Sequence, residues 1–313
     1  MYGKLFSMFI QQFQKVLNKA AALQKLKRFD EALQFYNQAI DENPEVSTYF
    51  FNKAVTLQEM NEDEEALKFY DYAIQRDSMD SRYYINKGEV LQKQNKFEQA
   101  LEQYDYAIKY NPENSKYFFY KANILSKMNR QEEALTFYDL AIKLNPQDSE
   151  NYVGKANTLN DMNKFDEALK QYDYAININP NDSRYYGNKA NTLVKLNRFT
   201  EALEYYEQAI KNNPENPIYF FNKAVTLDQM NRFEEALEYF DYAIQRNQND
   251  PSYQTCKGIS KKQIQIFQQK FQKKQKNCKK PNNRRIMQFR ITQIIQTINL
   301  FKQQKINNFF SLK

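Results

Sequence analysis

One phrase returns along this chain at multiples of 34 residues, and that period limits the fold more than any other feature. Glu65-Ala66-Leu67 reappears as Glu133-Ala134-Leu135, Glu167-Ala168-Leu169, Glu201-Ala202-Leu203 and Glu235-Ala236-Leu237. A frame opened at Phe13 holds seven full units without an insertion: 13–46, 47–80, 81–114, 115–148, 149–182, 183–216 and 217–250. Place 8 reads Ala20, Ala54, Gly88, Ala122, Ala156, Ala190 and Ala224, followed by Gly258 in a broken eighth unit. Places 20 and 27 are Ala in all seven units, place 11 is Leu and place 28 is Ile throughout, and place 24 is Tyr six times before Phe240. A phase kept over 238 residues implies one supersecondary unit laid beside copies of itself.

The periodicity inside a unit predicts two helices. Phe50, Ala54 and Leu57 lie at i, i+4 and i+7, one helical face; Ala66, Tyr70, Ala73 and Ile74 form the facing stripe of a second helix. The turn between them carries Asn in six units, from Asn61 to Asn231, a residue that tolerates the left-handed conformation ending many helices. Pro44, Pro112, Pro146, Pro180 and Pro214 mark the end of the second helix; Ser78 and Gln248 take that place in two units. Small residues at places 8, 20 and 27 allow close helix approach, with aromatic and aliphatic side chains filling the remaining space. A single helix pair cannot bury both its faces, so neighbouring units must stack.

This pattern resembles the tetratricopeptide repeat family, whose small residue at place 8, Ala at 20 and 27, aromatic at 24 and Pro at 32 stand here as Ala122, Ala134, Ala141, Tyr138 and Pro146 of the fourth unit. The resemblance covers 13–250 and reaches partly into 251–258. It implies an all-α fold: a right-handed α-solenoid of seven 34-residue helix-turn-helix repeats, with a concave groove lined by the first helices, a C-terminal capping helix and a basic tail. The expected organisation is an N-terminal extension 1–12, repeats over 13–250, and a partial eighth repeat with a Gln/Lys/Asn-rich tail over 251–313.

Place 7, usually aliphatic in the family, is Lys in every unit, from Lys19 to Lys223 and on to Lys257, while place 25 is acidic in six, with Asn37 in the first. Two arrangements fit: a ladder of partly buried ion pairs between facing helices, or Lys stems lying over the aromatic rings with the ammonium in water.

The resemblance also implies a peptide-binding groove. Its contact places map onto Phe51, Asn52, Ile85, Asn86, Phe119, Asn123, Asn157, Asn188, Asn191, Phe221 and Asn222. Carboxamides both donate to and accept from a peptide backbone, although Asn at place 6 is equally common as an intrahelical or solvated residue. The chaperone-tail carboxylate clamp is absent, because place 5 never holds Lys and place 6 never holds Lys or Arg. Arg82, Lys116 and Arg184 read as scattered solvated charges rather than a phosphate site.

Composition narrows the chemistry. With no His, imidazole-based catalysis, metal ligation and proton switching are excluded. Five Gly, four of them inside helical frames, leave no phosphate-cradling loop. Cys256 and Cys278 carry neither a CxxC motif nor the makings of a disulfide framework, which suits a reducing compartment. No 18-residue apolar run spans a membrane and the start is too interrupted for a secretory signal, so the expected location is cytoplasmic. No cofactor or metal is expected.

The net charge of +7 averages two unlike parts: 251–313 carries 12 Lys and 3 Arg without Asp or Glu, while 1–250 has 30 basic and 38 acidic residues. Within the tail Met287, Ile291, Ile294, Ile298 and Phe301 recur at helical spacing beside Arg284, Arg285, Arg290 and Lys302. Three readings stay open: a cap folded back on the array, a dock for an acidic partner or anionic membrane surface, or a low-complexity, disordered segment. No aromatic-basic platform supports specific nucleic-acid binding. The function expected is a non-enzymatic protein–protein interaction scaffold that holds peptide segments. The alternative is the repeat-bearing fragment of a larger enzyme, such as a protein O-linked N-acetylglucosaminyltransferase-like protein, whose catalytic domain the 63 tail residues cannot supply.

Overall fold

The computed structural model describes residues 16–277. Among them every regular element is an α-helix: α1 (16–25), α2 (Phe29–Glu42), α3 (Ser47–Glu59), α4 (Asp63–Arg76), α5 (Ser81–Lys93), α6 (Phe97–Tyr110), α7 (Ser115–Lys127), α8 (Gln131–Leu144), α9 (Ser149–Asp161), α10 (Phe165–Ile178), α11 (Ser183–Lys195), α12 (Phe199–Asn212), α13 (Pro217–Gln229), α14 (Phe233–Arg246) and α15 (Pro251–Asn277). Odd and even helices pair as hairpins. Residues through Asn212 form one compact unit and those from Asn213 a second. In the first, each even helix also packs against the next odd one, giving a solenoid of stacked helix pairs.

The turns follow from the sequence pattern. Asn61, Asn95, Asn129, Asn163, Asn197 and Asn231 adopt positive φ between 58° and 62°. Lys27 takes the same conformation, at 57°, in the first repeat. Behind Asn61, the Glu62 N–H donates to the Leu57 carbonyl at 2.9 Å, closing α3 with the six-to-one bond of a Schellman motif. The next odd helix starts on a side-chain cap: Asp80, Asn114, Asp148, Asp182 and Asn216 each accept from the backbone N–H two residues on.

Packing explains why places 8, 20 and 27 are small. Ala32, Ala66, Ala100, Ala134, Ala168 and Ala202 are fully buried where hairpin helices meet, and Tyr36, Tyr70, Tyr104, Tyr138, Tyr172 and Tyr206 lie buried beside them. At Gly88 a Cβ would sit 2.4 Å from Cε1 of Tyr104, so the ring has moved into the space that Ala fills in the other repeats.

The Lys ladder is present, as links between successive repeats. Lys87 pairs with Asp71 at 2.6 Å, Lys155 with Asp139 at 2.5 Å, and Lys121, Lys189 and Lys257 with Asp105, Asp173 and Asp241. The ammonium also lies over an aromatic face of its own repeat, as with Lys121 4.2 Å from the Phe137 centroid and Lys189 4.2 Å from that of Tyr205. The ladder of partly buried pairs is thus the arrangement found, and the ammonium meets the ring instead of water. Lys53 lacks the acid: its partner is Asn37, at 2.6 Å, and burial holds its ammonium below the ordinary lysine value. Because the aspartates are about half exposed, each pair is weak. Asp139→Ala should cost about 0.2–1 kcal/mol in thermal denaturation, shrinking in molar salt; a salt-insensitive loss above about 2 kcal/mol would mean the link is dry and structural.

In the second unit α15 packs on α14 and α13 through buried Tyr253 and Ser260. It thus covers the last hairpin where Lys261 breaks the repeat pattern. The segment Met287–Phe301, offered above as a cap or a dock, and Cys278 lie outside the described residues.

Candidate functional site

The first helices carry the candidate contact residues, and the structure divides them into three groups. Phe51 and Phe119 are half-buried rings seated on tyrosines: Phe51 lies 6.0 Å from Tyr70 and 5.0 Å from Tyr83, and Phe119 lies 6.0 Å from Tyr138. Ile85 joins the core with Tyr84, Leu91 and Tyr104 and offers no open surface.

The carboxamides differ from one another. Asn52, Asn86 and Asn188 are half-buried at place 6. Asn86 Nδ2 donates to its own helix, to the Arg82 carbonyl at 2.8 Å. At place 9, Asn123, Asn157 and Asn191 accept from the hydroxyls of Tyr138, Tyr172 and Tyr206, the last two at 2.6 Å. In the earlier repeats the same tyrosine instead donates to Gln at place 12: Tyr36 to Gln24 at 3.3 Å, Tyr70 to Gln58 at 2.5 Å and Tyr104 to Gln92 at 3.1 Å. Every place-24 phenol in these six repeats is thus satisfied, and in three of them the acceptor is a candidate contact residue. In the second unit Phe221 lies 5.8 Å from Phe240 and 4.8 Å from Tyr253, and Asn222 is half-buried, its carbonyl bonded by Thr226.

The electrostatics of this face centre on Glu89, half-buried at place 9 of the third repeat. Burial, then Glu89, raises Tyr120 to about 12, and the same two causes lift Tyr70 and Tyr104 well above the usual phenol range. The basic residues at place 2 are spoken for in two cases. Arg82 grips Asp80 at 2.5 Å, and Arg184 pairs with Asp182 at 2.7 Å and with Glu150. They brace helix N-termini and form no common anion site. Among the described residues no group of three or more His, Cys, Asp or Glu side chains is placed to hold a metal ion. No described helix is long and apolar enough to cross a membrane. Cys256 sits half-buried on α15, where burial and then Asp228 raise its thiol pKa.

Comparison with known proteins places this architecture among tetratricopeptide repeats. A family model described as tetratricopeptide repeat matches residues 85–149 and 188–251, and a second of the same description matches 17–46. A model of anaphase-promoting complex, cyclosome, subunit 3 matches 127–209. No curated protein matches the chain. Among solved structures, a tetratricopeptide repeat protein from Parabacteroides merdae is 16% identical, with 80% of this chain and 99% of that one covered, at a TM-score of 0.62. The C-terminal part of a repeat-containing protein from Cytophaga hutchinsonii is 14% identical over 76% and 97%, also at 0.62. YrrB, described as a repeat protein with an unusual peptide-binding site, is 28% identical over 57% and 92%, at 0.48.

Proposed function

The chain belongs to the tetratricopeptide repeat family, and we propose that it is a non-enzymatic scaffold that binds extended peptide segments on the first-helix face of its larger unit. Repeats of this family generally mediate protein–protein and peptide binding. The observation that carries the reading to particular residues is the row of asparagines fixed by tyrosines. A carboxamide whose oxygen accepts a phenol keeps its N–H donors, so Asn123 and Asn157 are oriented, donor-bearing side chains before any ligand arrives. Successive donors on a stack of constant period suit the carbonyls of an extended backbone, and half-buried Phe51 and Phe119 supply apolar anchors beside them. Because the tyrosines hold these groups in advance, the partner bears most of the ordering entropy.

The test is affinity capture with the intact chain, followed by affinity measurement on the recovered partner. Asn52→Ala, Asn123→Ala and Asn157→Ala combined should weaken binding by roughly a hundredfold, at about 1 kcal/mol per lost hydrogen bond. Circular dichroism should show the helix content kept. A folded variant that recovers the same partners with unchanged affinity would move recognition away from this face.

A further inference from the structure

Successive repeats are also joined by a tyrosine at place 3, whose ring enters the junction and whose hydroxyl meets the place-1 serine of the preceding repeat. Tyr83 meets Ser47 at 2.9 Å, Tyr117 meets Ser81 at 3.0 Å and Tyr185 meets Ser149 at 2.9 Å. These rings are almost wholly enclosed, at 0%, 5% and 1% exposure, so the junction is shaped to take a whole phenol.

The junction of the fourth and fifth repeats breaks the rule. Place 3 of the fifth repeat is Asn151, too short to carry a ring to Ser115. Two consequences are visible. Asn151 is only 1% exposed, its Nδ2 donates at 3.4 Å to the Asn145 carbonyl, and its Oδ1 is buried with no hydrogen-bond partner. At the same junction, an open cavity of about 520 Å³ is lined by Asn111, Glu113, Asn114, Ser115, Lys116, Leu144 and Asn145, the last being the residue whose carbonyl Asn151 bonds. Ser115, Lys116 and Asn145 hold the repeat places of Ser149, Glu150 and Asn179 in the next junction, where Ser149 and Glu150 both bond the Tyr185 hydroxyl.

We propose that the opening at this junction, at the N-terminal end of α7, is a second binding site that accepts a tyrosine side chain from a partner protein. The ring would lie where Tyr185 lies one repeat later, with its hydroxyl at Ser115 and its aliphatic wall from Leu144. Exposed Glu113 and Lys116 at the mouth leave room for the backbone of the incoming segment. The other three junctions supply the argument for the ligand class: the same scaffold there already selects a phenol and bonds its hydroxyl.

The experiment titrates the intact, isotope-labelled chain with the peptide acetyl-Gly-Tyr-Gly-amide, with its Leu counterpart and with p-cresol, following backbone amide shifts by NMR. Saturable shifts at Ser115, Lys116, Leu144 and Asn145 are expected with the Tyr peptide, at least fivefold weaker with the Leu peptide. They should vanish in Asn151→Tyr, which fills the slot from within and should also melt higher than the parent. Ser115→Ala, a mild change, should weaken the Tyr peptide several-fold and leave a Phe peptide unaffected. Absent shifts, equal response to Tyr and Leu, persistence in Asn151→Tyr, or binding of p-cresol without the peptide would each overturn a protein tyrosine as the ligand.

Discussion

Tyr104→Ala is expected to remove about 3–5 kcal/mol of stability, a large part of what holds a domain of this kind together. The ring is fully buried and occupies the space opposite Gly88 that a side chain holds elsewhere. It also stacks on Tyr120 of the following repeat at 5.9 Å, so its loss opens a cavity on both sides of one junction. In a stack whose stability is a sum of repeat and interface terms, weakening one interface should uncouple the repeats on either side. Urea denaturation followed by circular dichroism should therefore show an earlier and broader transition with a lower apparent m-value. Tyr104→Phe keeps the volume and drops only the bond to Gln92, at 3.1 Å, so it should cost about 0.5–1.5 kcal/mol. An alanine variant that unfolds in one sharp step within about 0.5 kcal/mol of the parent would show that the junctions are not held by these rings.

The hairpins, the turns and the stacking were legible because each is enforced by a local necessity repeated in phase. Ala at 8, 20 and 27 is the residue that lets backbones approach; Asn at place 15 is the residue that accepts a positive φ; Pro or its substitutes end a helix regardless of neighbours. Lys27 shows the limit of that reading, since the first repeat makes the same turn without the signature residue. The candidate face was less legible, because its residues serve the fold as well as any ligand. Ile85 and Phe119 share place 5, yet one is core and the other half-open. The sequence carries a further signal. In repeats one to six, place 12 is Gln where place 9 is Ala, Val or Glu, and place 9 becomes Asn where place 12 is Ser, Asn or Val. That exchange is the place-24 phenol taking its acceptor from one position or the other. Asn151 was visible in the same way, as the one non-tyrosine at place 3 among repeats two to seven. What made it meaningful was the serine 36 residues before it, a partner that only three dimensions reveal.

The same phenols dictate how the protein meets alkali. Tyr70, Tyr104, Tyr138 and Tyr172 are buried, and burial, the first cause in each, raises their pKa values, to about 12 for Tyr172 and beyond the ordinary phenol range for the others. In the unfolded chain these groups ionise near pH 10. Their stabilising contribution is therefore complete below about pH 10 and is lost as pH rises toward the folded values, because only the unfolded state releases the protons. Each group removes about 1.4 kcal/mol per pH unit in that window, so four together remove about 5–6 kcal/mol per unit. That loss should collapse the larger unit between about pH 10.5 and 12, with helix content and tyrosinate absorbance changing in a single step. Replacing the four tyrosines by Phe should lower stability at neutral pH by the lost hydroxyl bonds yet flatten the alkaline slope. Phe240 shows that the place accepts the ring without its hydroxyl. A tyrosinate signal that rises gradually near pH 10 while the helices persist would mean these hydroxyls reach water in the native state, and the asparagines they anchor would lose the fixed orientation on which peptide recognition depends.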